Sequence, residues 1–71
     1  MSQSIQFALT TEYIELCNLL KLVGLADSGG RGKMMVAEGS VLVDGLIEYR
    51  KAAKIRSGQM VKIAEHTIHI K

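Results

Sequence analysis

Asp44-Gly45 stands between two β-prone runs in Ser40-Val41-Leu42-Val43-Asp44-Gly45-Leu46-Ile47-Glu48. A two-residue hairpin loop of type I′ needs positive φ at both central positions, and Asp-Gly is among the few dipeptides that tolerate it. The stretch therefore predicts an antiparallel hairpin of fixed register. With 71 residues there is room for one small domain, so residues 1–71 are expected to form a single unit around one small core.

The flanking elements follow from periodicity and end signals. Ile5, Phe7 and Leu9 alternate with Gln6, Ala8 and Thr10, which predicts a strand over 4–9. Thr10 or Thr11 can cap a helix that carries Glu12 and Glu15 in its first turn and stops at Gly24. Its expected core stripe is Tyr13, Leu16, Cys17, Leu20 and Val23. Asp27 or Ser28 can cap a second helix running to about Glu38, with Gly39 as its left-handed stop. Met60 to Ile63 and Thr67 to Ile70 form a last strand pair, which the strand over 4–9 can join or leave with a free edge.

The start of the second helix is unusual. Gly29, Gly30 and Gly32 are each worse helix formers than alanine by about 0.8 to 1 kcal/mol, so propensity does not select them. Two explanations that do not exclude each other are close packing of the second helix on the first and a phosphate resting on exposed backbone N–H groups at the helix start.

Charge is concentrated. Arg50-Lys51-Ala52-Ala53-Lys54-Ile55-Arg56 holds four cations and no acid, out of 9 Lys+Arg and 7 Asp+Glu in the chain. The window contributes +4 and the remainder 5 minus 7, or −2, so a net charge of +2 conceals a basic patch able to displace counterions from a nucleic-acid backbone or meet another anionic surface. This window is expected to be a loop or irregular edge segment beside the hairpin.

Several chemistries lose support. Gly29-Gly30-Arg31-Gly32-Lys33 lacks the Gly a phosphate-binding nucleotide loop needs at position 27, which is Asp, and the Ser or Thr needed at 34, which is Met. His66 and His69 are three apart in a predicted strand and face opposite sides, so one ion cannot easily take both. Cys17 lies on the core stripe and reads as a small buried apolar side chain, and a single cysteine makes no internal disulfide. Paired catalytic carboxylates are lacking. With no apolar run of the roughly 20 residues a bilayer requires, and no secretory leader pattern in residues 1–10, the expected location is the cytoplasm.

Leu22-Val23-Gly24-Leu25-Ala26-Asp27-Ser28, then Lys33, then Ala37-Glu38-Gly39-Ser40-Val41-Leu42-Val43-Asp44-Gly45 resembles the RNA-binding domain named after the fourth protein of the small ribosomal subunit. The resemblance covers about residues 11–63. It implies an α+β fold: two packed helices, the alpha-L motif, against a small and mostly antiparallel sheet. Gly29 stands where most members have Arg, Gly32 where most have Ala, and Asp44 where Asn is usual. Ser28-Gly29-Gly30-x-Gly32-Lys33 with Glu48-x-Arg50-Lys51 and Lys54 is similar instead to the stand-alone bacterial members.

Carried onto this chain, the resemblance implies RNA contacts from Lys33, Arg50, Lys51 and Lys54, with Arg31 and Arg56 as weaker candidates. Gly29 and Gly30 supply backbone N–H groups, and Ser28 is a hydroxyl donor or simply the helix cap. The expected function is a non-catalytic module without cofactors, binding the phosphate backbone of structured RNA, ribosomal RNA or tRNA. The alternative is an adaptor that docks an acidic partner on a ribosomal or RNA-processing complex. A membrane role has little support, since no amphipathic helix or lipidation signal accompanies the cations. Tyr49 either stacks on a base or pins its loop to the core.

Overall fold

The computed structural model describes residues 3–71. Its elements in chain order are β1 (Gln3–Phe7), β2 (Ile14–Glu15), α1 (Leu16–Leu22), α2 (Gly29–Ala37), β3 (Val41–Val43), β4 (Leu46–Ile47), β5 (Lys54–Ile55), β6 (Met60–Ile63) and β7 (His66–Ile70). Five strands form one sheet in the order β1-β7-β6-β3-β4, and β2 and β5 form a separate antiparallel ribbon. Two helices lie against a sheet whose pairings are antiparallel except for β1 with β7, so the fold is α+β with the expected alpha-L pair.

The hairpin forms where Asp44-Gly45 predicts it. Asp44 has φ 52° and Gly45 φ 88°, and Leu42 pairs with Ile47 and Val43 with Leu46. Asp44 also braces the neighbouring turn, because its Oδ1 accepts from the Met60 N–H at 3.0 Å and its Oδ2 from Gln59 Nε2 at 3.0 Å. Both bonds favour the ionised carboxylate and hold its pKa below the usual aspartate value, the Gln59 bond contributing most.

Strand β1 spans 3–7 instead of 4–9 and runs parallel to β7, with Gln3 opposite His66 and Phe7 opposite Ile70. β7 therefore lies between β6 and β1. Leu16, Leu19 and Leu20 of α1, Val36 of α2, Val41, Val61, Ile63, Ile68 and Ile70 of the sheet, and Ile55 of the ribbon make the core.

The first helix departs from expectation. It begins at Leu16, and neither Thr10 nor Thr11 caps it; Thr11 Oγ1 donates to the Tyr13 carbonyl at 2.8 Å instead. Tyr13 precedes the helix and is 38% exposed, so it does not belong to the core stripe, and Glu12 also lies outside the helix. The physical reason is a cap supplied from far away in the chain. The Leu16 N–H donates to the Ala53 carbonyl at 2.9 Å and the Cys17 N–H to the Lys51 carbonyl at 3.0 Å, which satisfies two of the helix-start amides without a side chain.

Candidate nucleic-acid interface

Helix α2 starts as its sequence predicts. Ser28 is its N-cap, with the hydroxyl oxygen accepting from the Arg31 N–H at 3.1 Å. That bond leaves Gly29 and Gly30 as helix-start amides with no acceptor among the described residues. The three glycines divide into two kinds. A Cβ on Gly32 would lie 2.7 Å from the Cys17 carbonyl oxygen, so this glycine permits close packing of α2 on α1. A Cβ on Gly29 would meet nothing within 4 Å, and on Gly30 only Ser28 Oγ at 3.9 Å, so packing does not account for these two.

The basic window is more ordered than a free loop. Ala53 and Ile55 are buried, Lys54–Ile55 forms β5, and the backbone carbonyls of Lys51 and Ala53 hold the start of α1. It is thus fastened to the start of α1 and to β2, and not simply laid beside the hairpin. An open depression follows its turn, lined by Arg50, Ala52, Ala53 and Lys54.

Cys17 joins the two basic segments. Its N–H donates to Lys51 in the window, and its carbonyl lies under Gly32, between Arg31 and Lys33 of α2. The backbone of the window at Lys51 and that of α2 at Gly32 therefore meet at one corner of the molecule. Cys17 itself is buried with a free thiol.

The cations at this corner differ in how free they are. Arg31, Lys33 and Lys51 are exposed and have no side-chain partner among the described residues. Arg50 is engaged by Glu48: Nε to Oε2 at 3.2 Å and Nη2 to Oε1 at 3.0 Å, with the Arg50 N–H also donating to Oε2 at 3.2 Å. These bonds lower the Glu48 pKa and raise that of Arg50. Lys54 Nζ sits 4.9 Å from the Tyr13 ring centroid and the Arg56 guanidinium carbon 5.8 Å from it, and Arg56 Nη1 pairs with Glu12 Oε1 at 3.4 Å.

Sequence reasoning missed three participants, Glu12, Glu48 and Tyr13. For Glu48 a signal existed, since residues two apart in an extended segment face the same side. For Tyr13 the signal was misleading, because its spacing matched a helical stripe that begins only three residues later. Tyr49 does not sink into the core: it is 63% exposed, with its ring edge 3.1 Å from where a Gly39 Cβ would lie, so it rests on the end of α2 with most of its surface open.

His66 and His69 lie on opposite faces of β7. Among the described residues no group of three or more His, Cys, Asp or Glu side chains is placed to hold a metal ion, and no helix is long and apolar enough to cross a membrane.

A paired-helix motif, braced by a basic loop and set against a small sheet, defines a class of domain, and comparison with known proteins gives that class its name. The S4 domain family model matches residues 7–71. The chain is 48% identical over 58 residues to the putative RNA-binding protein YbcJ of Escherichia coli strain K12, covering 82% of this chain and 83% of that protein. The uncharacterized protein YbcJ of Shigella flexneri matches with the same identity and coverage. The solution structure of E. coli YbcJ, described as revealing an αL motif involved in RNA binding, superposes with a TM-score of 0.73 at 45% identity, over 99% of this chain and 90% of that one. The chain belongs to the S4 domain family.

Proposed function

We propose that this protein is a non-catalytic RNA-binding module that grips the phosphate backbone of structured RNA, ribosomal RNA or tRNA, in the cytoplasm. The observation that carries the reading is the junction at Cys17, where one residue anchors both the basic window and the start of α2. Long cations on two rigidly joined segments suit phosphates at fixed spacing and carry no base identity of their own. Lys33, Lys51 and Arg31 are the freest of them; Arg50 and Lys54 add to the contact by exchanging their present partners for phosphate. The Gly29 and Gly30 amides are available to a further phosphate oxygen. Membership of the S4 family and the description of YbcJ as RNA-binding support the reading.

Four to six phosphate contacts give a log–log dependence of affinity on salt with a slope of about −3 to −5. The test is binding to a paired RNA hairpin over a salt series, together with crosslinking of the protein to RNA in cells by ultraviolet light. Loss of both signals in Lys33→Ala/Arg50→Ala/Lys51→Ala/Lys54→Ala supports the module. A slope indistinguishable from zero, with RNA recovery at background, would hand the basic window to an acidic protein partner instead.

A further inference from the structure

The ribbon of β2 and β5 has two faces of different chemistry. Ile14 pairs with Ile55 on the inner face, against the core, and Glu15 pairs with Lys54 on the outer one. Continuing the ladder by one step puts Tyr13 opposite Arg56, so Tyr13, Glu15, Lys54 and Arg56 share the outer face. The cation geometry agrees, since both Lys54 and Arg56 reach the Tyr13 ring.

Apart from Lys54, this face is not a phosphate track. Glu12 and Glu15 offset Lys54 and Arg56, so its formal charge is two minus two, or zero, and it has no free cation to match Lys33 and Lys51. It offers a partly exposed aromatic ring beside the Arg56–Glu12 pair, which sets N–H donors next to a carboxylate acceptor. An exposed ring flanked by a donor and an acceptor matches a nucleobase, which has an apolar π face and an edge carrying both kinds of polar group.

We propose that Tyr13, with Lys54, Arg56 and Glu12, forms a subsite for one unpaired nucleobase, adjoining the phosphate-binding corner through β5. The proposal rests on the RNA-binding reading and refines it: the target is paired RNA interrupted by an extruded nucleotide. In the free protein the two cations cover the ring. On binding, Lys54 turns toward a flanking phosphate and the base takes its place on Tyr13, with its polar edge toward the Arg56–Glu12 pair.

Two RNA hairpins test this, one fully paired and one identical but for a single extruded adenosine, measured with wild type, Tyr13→Phe and Tyr13→Leu. Wild type and Tyr13→Phe are expected to prefer the interrupted hairpin by roughly tenfold, the scale of one base stacked on an aromatic side chain, and Tyr13→Leu to lose that preference. The Tyr13 ring protons of wild type should move upfield with the interrupted hairpin only, a readout that does not depend on how the variants fold. Equal affinity of wild type for the two hairpins overturns the subsite while leaving phosphate binding intact. So does an equal loss on both hairpins in Tyr13→Leu, which would make the ring only a positioning residue for Lys54 and Arg56. Failure to bind either hairpin removes the RNA-binding reading itself.

Discussion

Gly32 lies directly on the Cys17 carbonyl, so close that a methyl group at Gly32 would stand 2.7 Å from the oxygen. The neighbour is backbone, at a point where the Cys17 N–H is already bonded to Lys51, so it cannot move aside without loosening the basic window. Gly32→Ala is therefore expected to destabilise the fold by about 1 to 3 kcal/mol, the usual cost of overpacking, despite alanine's better helix propensity. Gly29→Ala, which meets open space, should be neutral or stabilising by up to about 1 kcal/mol. Urea denaturation of the two variants checks the contrast, and equal midpoints would refute it.

Lys33 and Lys51 reach the proposed interface from different segments and share no partner. Alanine at either should weaken RNA binding roughly fivefold near 0.15 M salt, with little dependence on RNA sequence, and make the salt slope shallower by about 0.7 to 0.9. The double variant should show the sum of both changes. Filter binding over a salt series measures them, and an unchanged slope in both single variants would exclude these side chains from phosphate contact.

The carboxylate of Asp44 ties the hairpin turn to Gln59 and Met60, and its folded-state pKa is depressed. A depressed carboxylate stabilises the fold above its unfolded pKa, about 3.9, and that contribution is lost as pH falls through the lower folded value. Stability should accordingly decline below about pH 4. Asp44→Asn, which keeps the positive φ but not the charge, should flatten this acid limb. Thermal unfolding between neutral and acidic pH provides the check, and parallel curves for the two proteins would contradict it.

What the sequence made legible was whatever local signals encode. The hairpin follows from Asp44-Gly45, the second helix from Ser28 and Gly39, and β6 and β7 from alternation. The basic window was visible as charge alone. The start of α1 was not legible, because its amides are met by Ala53 and Lys51, more than thirty residues away in the chain, while Thr10 and Thr11 offered a plausible local cap that goes unused. The same long-range pairing takes Tyr13 out of the core stripe and onto the ribbon. Nor does alternation say which strand β1 joins, since a parallel partner has no turn signal. For the site, residue type identified the cations but not which were already engaged. Separating Arg50 and Arg56 from Lys33 and Lys51 required knowing where Glu48 and Glu12 lie.

Glu48 holds Arg50, and under the proposed function it is expected to compete with RNA for that side chain. Its two oxygens hold the guanidinium as a phosphate would, and the Arg50 side chain is otherwise exposed at 81%, so a ligand has only this one carboxylate to displace. Glu48→Gln keeps an oxygen that can still accept from the Arg50 N–H, yet removes the charge that retains the side chain. The variant is expected to bind paired RNA up to about fivefold more tightly near 0.15 M salt, because Arg50 no longer has to leave Glu48 to reach phosphate. Arg50→Ala in the same background should abolish the gain, since Glu48 acts on RNA through Arg50. Lowering the pH through the depressed Glu48 pKa should mimic the substitution in wild type and leave Glu48→Gln less responsive. Binding measurements on wild type, Glu48→Gln, Arg50→Ala and the double variant distinguish this from a general charge effect. If Glu48→Gln gains as much affinity without Arg50 as with it, the carboxylate only repels RNA at a distance and Arg50 makes no contact.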